Sequence, residues 1–250
     1  INDAEYFAYF KNSIIKSKIT HVSRRAKNVF IHVSNNFTIL THMKMTGHFL
    51  YGDYNKKDPY NRHIRLIFTL SNGKDLELCD ARKFAKVTLI PTDAMDESIH
   101  LKDIGPEPLE KKFTFDIFNE RLYLSPLRKI KQVLMDQKII AGIGNIYADE
   151  SLWRAGIHPL SIVSKIPIKN LKELFEALRA TLSRGIDFGG DSTSDYRDID
   201  GNPGKFHEGH NAYKKTGTKC SKKGCRGIIT RIVLSSRGTH FCDTHQKLFN

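Results

Sequence analysis

Four residues near the C-terminus have the types and spacing of a metal site. Cys220 and Cys225 enclose the four residues SKKG, Cys242 and His245 enclose Asp-Thr, and sixteen residues separate the two pairs. Two close pairs held apart by a β-hairpin length can converge on one ion. Thiolate with imidazole is the donor set that zinc takes in structural sites. Four protein ligands leave no open position, so such an ion serves folding rather than catalysis. His240 competes for the fourth place, but its spacing from Cys242 is tighter, and His245 is preferred. The bland alternative is three buried thiols and a surface histidine. Between the pairs, IITRIVL reads as β, and Ser235-Ser-Arg-Gly-Thr239 reads as a hairpin tip carrying Arg237. An arginine on a rigid turn suits bidentate phosphate contact; a plain solvated charge is the alternative. Cys79 stands apart in an apolar stretch and reads as a small buried hydrophobe. Four cysteines are too few for a disulfide scaffold, which points to a reducing compartment.

The charge balance points the same way as Arg237. Forty Lys and Arg stand against 27 Asp and Glu, a net +13. Residues 206–250 hold six Lys and three Arg against Glu208 and Asp243, a net +7 in under a fifth of the chain. Concentrated positive charge favours polyanions, of which nucleic acid is the commonest. A length of 250 residues suits one large or two ordinary domains, with ample core. No run approaches the roughly 18 apolar residues of a membrane span, and there is no signal peptide or low-complexity tract.

These groups need elements to hold them. Phe7, Phe10 and Ile14 predict a helix over 4–15. Residues 18–33 and 37–42 read as strands; 63–70 alternates, Asn72-Gly73 signals a hairpin, LELC resumes, and 87–90 is another strand. Residues 18–90 are therefore expected to form an antiparallel β-sandwich. After the Gly/Pro segment at 104–109 the pattern turns helical. Phe115, Phe118 and Leu122 mark one helix capped by Thr114. Others are expected over 126–137, over 149–154 with a stop at Gly156, and along Leu171, Leu174, Leu178 and Leu182. Residues 185–205 hold five glycines among Ser, Thr and Asp and read as a long functional loop. The fold class is α+β: an N-terminal β-sandwich over 1–104, a linker over 105–113, a helical domain with its loop over 114–205, and a zinc-finger hairpin over 206–250.

Several stretches in fixed order carry a family resemblance. They are Arg24-Arg-Ala-Lys27, Thr41-His-Met-Lys-Met-Thr-Gly47, Asp80-Ala-Arg-Lys-Phe84, Gly105-Pro-Glu-Pro-Leu109, Leu134-Met-Asp-Gln137, Ala141 to Glu150 (AGIGNIYADE), Gly156-Ile-His-Pro159 and Arg237-Gly-Thr-His-Phe-Cys242. From about residue 18 onward the chain resembles the formamidopyrimidine-DNA glycosylases, bacterial enzymes that remove oxidised purines. The resemblance implies a two-domain clamp on double-stranded DNA, with a β-sandwich, a helix–two-turn–helix domain and a zinc finger. It implies base excision through a flipped nucleotide, with Met45, Arg82 and Phe84 filling the vacated space. Read without the family, Met45 and Phe84 would be ordinary core. It also implies a phosphate grip by Lys27, His42, Asn145 and Arg237, a further lysine near DNA at Lys131, and a 185–205 loop that orders over the extruded base.

The family's chemistry is amine catalysis: an N-terminal proline attacks C1′, a Schiff base forms, and β,δ-elimination cuts the strand. The resemblance gives Lys27 a part in base removal and β-elimination, and Arg237 a part in the δ step. It further implies a monomer in the bacterial cytoplasm, at the nucleoid. Three departures stand out. The family opens with Pro-Glu-Leu-Pro-Glu-Val, whereas this sequence opens at Ile1, and a truncated sequence is the expectation. The finger has a wider first pair and His245 in place of a fourth cysteine. Ala85 stands where the family often has Gly. The competing readings are a non-catalytic damaged-DNA-binding fragment and a zinc-finger transcription factor; the latter is disfavoured because one finger reads too few bases.

Overall fold

In the first hundred residues the polar–apolar alternation and the turn signals build two packed sheets and one helix. The computed structural model describes residues 3–95, 97–99, 101–193 and 195–250. Its contacts divide into two compact units, Ile1–Asp103 with Gly189–Lys205, and Ile104–Phe188 with Phe206–Asn250.

The first unit opens with helix α1 (Ala4–Ile14). The Asp3 carboxylate accepts the amides of Glu5 (2.9 Å) and Tyr6 (3.1 Å), satisfying donors that the first turn leaves unpaired. Strands β1 (Ile19–Arg25), β2 (Asn28–Val33), β3 (Phe37–His42) and β7 (Lys86–Pro91) form one antiparallel sheet in the order β1-β2-β3-β7. Strands β4 (His48–Tyr51), β6 (Asp75–Cys79) and β5 (Ile64–Thr69) form the second, in the order β4-β6-β5. Phe10, Ile31, Ile39 and Leu89 are buried together, with Phe49, Phe68 and Leu76 of the second sheet packed against them. This is the expected sandwich.

Three local features differ from the sequence reading or sharpen it. The run 18–33 is two strands, broken by the turn Ala26-Lys27, where Ala26 adopts a left-handed φ of 53°. Strand β4 is four residues long, too short for periodicity to reveal. Asn72-Gly73 does turn the chain between β5 and β6, with Gly73 at φ 77°.

The second unit is built on α2 (Phe115–Tyr123), α3 (Ile130–Met135), α4 (Asn145–Ala155) and α5 (Ile168–Asp187). Thr114 caps α2, and Gly156 ends α4 in the left-handed region (φ 69°), both as expected. The helix expected over 126–137 is confined to α3, because the backbone at Lys129 and Asp136 is extended on either side. Helix α4 starts at Asn145, earlier than 149. Phe118, Leu122, Leu134, Leu152, Leu171 and Leu178 are buried in one core. Strands β8 (Thr230–Leu234) and β9 (Arg237–Phe241) form the C-terminal hairpin. Its tip, Ser235-Ser236, takes positive φ at both residues (48° and 60°), the backbone of a type I′ turn.

The segment 189–205, which the sequence reading grouped with the helical domain, packs in the first unit. The Arg197 guanidinium pairs with Asp58 (2.9 Å) and covers the Tyr60 ring (4.5 Å). The amides of Tyr51 and Asn55 donate to the carbonyls of Ile199 and Asp200, each at 3.0 Å. A loop rich in Gly and Asp carries no periodicity, so its partners are invisible to a sequence pattern.

Candidate nucleic-acid interface and metal centre

In the first unit the buried carboxylate of Asp80 organises two turns. Its Oδ1 accepts the Thr46 hydroxyl and the Arg82 amide (3.2 Å), and its Oδ2 accepts the Ala85 amide (2.7 Å). Burial alone would raise its pKa, but the hydrogen bonds outweigh burial and hold the carboxyl below its ordinary value. Gly47 lets the first turn close, since a Cβ there would lie 2.6 Å from the Met43 carbonyl oxygen. The turns display Met45, Arg82 and Phe84. Met45 is 58% exposed and Phe84 49%, far outside the core that their types would favour. The Arg82 guanidinium lies 4.7 Å over the Phe84 ring, and its Nη1 is 3.2 Å from the Met45 sulfur. Two apolar side chains thus flank one cation on an exposed surface.

Lys27 is exposed at the β1–β2 turn. His42 ends β3, between Asn28 of β2 and Lys86 of β7. Burial, then the positive charges of Lys44 and Lys27, bring its pKa down to about 4. The Lys44 amide donates to His42 Nδ1 at 3.0 Å. The ring is therefore neutral at physiological pH and carries its proton on Nε2, as a donor. A neutral donor among lysines is a suitable receptor for an anion.

In the second unit a buried ionic network holds the hairpin tip. Lys131 is 1% exposed. Its ammonium pairs with Asp149 (2.6 Å) and donates to the Thr239 hydroxyl (2.8 Å) and the Gly238 carbonyl (3.2 Å). Burial lowers its pKa, while Asp149 opposes that shift. Asp149 Oδ2 accepts the backbone amide and the ring Nδ1 of His240 (2.9 and 3.0 Å). Asn145, the first residue of α4, donates to the same Gly238 carbonyl (3.0 Å). Arg237 is exposed at the start of β9.

Cys220, Cys225, Cys242 and His245 place one donor atom each within 4.8 Å of one another. Cys225 and Cys242 Sγ are 3.7 Å apart, and Cys220 Sγ lies 3.2 Å from His245 Nδ1. A tetrahedral ion with bonds of about 2.3 Å to sulfur would give sulfur–sulfur edges of about 3.8 Å. The donors therefore suit one four-coordinate metal ion. His245 Nε2 donates to the Trp153 carbonyl (2.9 Å), which orients Nδ1 toward the thiols. His240 is bound to Asp149 instead, so the fourth position is His245.

Comparison with known proteins now adds to this geometry. The model of the formamidopyrimidine-DNA glycosylase N-terminal domain matches residues 3–87, and that of the formamidopyrimidine-DNA glycosylase H2TH domain matches 104–197. The formamidopyrimidine-DNA glycosylase of Pelotomaculum thermopropionicum is 37% identical over 96% of this chain and 85% of its own length. The chain belongs to the formamidopyrimidine-DNA glycosylase family. Among solved structures, the Lactococcus lactis family member in complex with DNA containing an abasic site has a TM-score of 0.85 at 33% identity, covering 96% of this chain and 86% of that one. A variant of the same protein bound to DNA containing Fapy-dG scores 0.85, also at 33% identity, with the same coverage. Among the described residues no helix is long and apolar enough to cross a membrane.

Within this family fold, the residues singled out from sequence fall into three groups. Met45, Arg82 and Phe84 come together on one surface of the first unit, and Lys27 and His42 share a basic cluster there. Asn145 bonds Gly238, the residue after Arg237, at the hairpin tip of the second unit. Lys131 differs from the expectation of a DNA contact: its ammonium is buried and taken up by Asp149, Gly238 and Thr239. The sequence reading missed Lys44, Lys86 and Asp80, although Lys44 and Asp80 lie inside quoted motifs. It also missed the Asp149–His240 pair, whose members are 91 residues apart and leave no local signal.

Proposed function

We propose that this chain recognises and processes oxidised or abasic nucleotides in duplex DNA, as a bifunctional glycosylase and abasic-site lyase of base-excision repair. One observation carries this reading: Met45, Arg82 and Phe84 stand exposed as a single cluster on turns fixed by Asp80. A surface of that kind costs solvation unless it has a partner, and a base stack from which one nucleotide has been extruded is such a partner. Met45 and Phe84 fill apolar space, and Arg82 offers donors to the unpaired base. Lys27 and His42 in the first unit, and Asn145 and Arg237 in the second, supply phosphate ligands. Lys27 is also the amine assigned to base removal and β-elimination, and Arg237 the cation assigned to δ-elimination. Oxidised purines are the proposed lesions. The metal ion is zinc, held by Cys220, Cys225, Cys242 and His245, and its contribution is to the folding of 206–250. The protein is proposed to act as a monomer in the bacterial cytoplasm.

The test is binding and incision on duplexes carrying 8-oxoguanine or an abasic analogue, beside the undamaged sequence. At least tenfold tighter binding to the damaged duplexes supports the reading; equal affinity refutes it. Residues 1–250 contain no Pro-Glu-Leu-Pro-Glu-Val. Tight binding without strand cleavage by these 250 residues would favour the second reading, damaged-DNA binding alone.

A further inference from the structure

Inside the first unit a buried chain of polar contacts joins the segment 197–201 to the Met45–Arg82–Phe84 surface. Asn61 Nδ2 donates to the Gly201 carbonyl (3.0 Å) and to the Asn55 carbonyl (2.8 Å). Both amide hydrogens are used, which fixes the orientation of the group and turns Oδ1 toward His48 Nε2 at 3.0 Å. His48 Nδ1 faces the Thr46 carbonyl at 3.2 Å, so each ring nitrogen faces an acceptor oxygen and the neutral ring donates to one of the two at a time. The Thr46 hydroxyl donates to Asp80, whose oxygens hold the amides of Arg82 and Ala85. Thr46, His48, Asn61 and Asp80 are all buried. At the outer end, Asp58 accepts the Tyr60 amide (2.9 Å) just ahead of Asn61 while its other oxygen pairs with Arg197.

A polar path this deep is costly to interrupt, because each unmet partner keeps its full desolvation penalty. An apolar side chain at 48 would fill the same space and join nothing. We infer that His48 and Asn61 are positioning residues: they tie the turn bearing Met45 and Arg82 to the seated segment 197–201, so that reading of the base opposite the vacated site depends on that seating. Arg82 has only donors to offer, so the base edge it reads is one rich in acceptors. The specificity part of this inference rests on the function proposed above; the structural part does not.

The test compares His48→Leu, His48→Gln and Arg82→Ala with the parent chain, all confirmed as folded by thermal melting. Binding is measured to duplexes with a tetrahydrofuran abasic analogue placed opposite cytosine or adenine. His48→Leu should lower the cytosine preference by about fivefold to tenfold, within the range of coupling between residues of one network. His48→Gln should restore most of it, and adding Arg82→Ala to His48→Leu should lower it no further. An unchanged preference in His48→Leu, or losses that simply multiply in the double variant, overturns the inference. Should the parent chain show no preference for damaged duplexes, the functional reading fails. Hydrogen exchange then decides the structural part: the Arg82 and Ala85 amides exchange about tenfold faster in His48→Leu if the path positions them. Unchanged exchange refutes it.

Discussion

Replacing Lys131 by Met keeps most of the side-chain volume and removes one charge from the Lys131–Asp149–His240 network. Asp149 would remain buried with the His240 amide and ring as its partners. The variant gives up an ion pair at 2.6 Å and the hydrogen bonds to Thr239 and Gly238. Neither member of the pair is solvated, so the small values typical of exposed pairs do not apply. Removing one partner of a buried pair costs about 3–5 kcal/mol. For a protein of this size that corresponds to a fall in Tm of about 6–20 °C in the transition of the second unit, at roughly 2–4 °C per kcal/mol. Circular dichroism melting of the two proteins measures it directly. Asp149→Leu added to Lys131→Met removes the stranded charge but leaves the His240 amide and ring unpaired, so it should recover only part of the loss. DNA binding should stay weak in both, because the Gly238 carbonyl has lost its ammonium and the tip bearing Arg237 is less firmly held. A loss below about 1 kcal/mol, the range of exposed pairs, would refute the reasoning, and so would a double variant no more stable than the single one.

Arg237→Ala should weaken duplex binding uniformly across sequences and reduce the salt slope by about one, with Tm unchanged; a matching loss of thermal stability would contradict an exposed phosphate ligand. Cys242→Ser should lose the bound metal and unfold the 206–250 module, read as zinc content and loss of DNA binding together; retained nanomolar binding without metal would count against it. The pKa values of His42, His48 and His158 are lowered, chiefly by burial, His42 to about 4. These groups bind protons more readily unfolded than folded, so they support the fold above pH 6.5, and that support is lost as pH falls from about 6.5 toward 4. Denaturant unfolding at pH 7 and pH 5 should show the drop, and His42→Gln should lessen it.

Periodicity and turn chemistry revealed most of the elements, because Phe10, Phe118, Leu171 and their neighbours obey the spacing of buried faces. The cluster of Cys220, Cys225, Cys242 and His245, which could hold a metal ion, was legible for a similar reason: pairs at short spacing have few ways to converge. What escaped the sequence has two physical causes. Polar partners distant in sequence, such as Asp149 with His240 or Asn61 with Gly201, follow no period. Exposure is also a property of the turn rather than of the residue, so Met45 and Phe84 read by type alone, without the family resemblance, are core, whereas the turns held by Asp80 display them outward. Lys131 shows the converse, a lysine that the resemblance places near DNA and whose ammonium lies in the interior.

The packing of 189–205 against Asp58 and Asn61 has a consequence for how the chain is made. The contacts Arg197–Asp58 and Asn61–Gly201 span 139 and 140 residues. The first unit is therefore incomplete when residue 103 leaves the ribosome, and it stays so until residue 205 follows. At translation rates of about 5–20 residues per second, that interval is roughly 5–20 s. Throughout it, Asp58 and the Asn61 amide await partners that the nascent chain has not yet delivered. The second unit is divided in the same manner, with 206–250 arriving last. Both units thus depend on late segments, and a ribosome stalled before residue 189 would release a chain in which neither is finished.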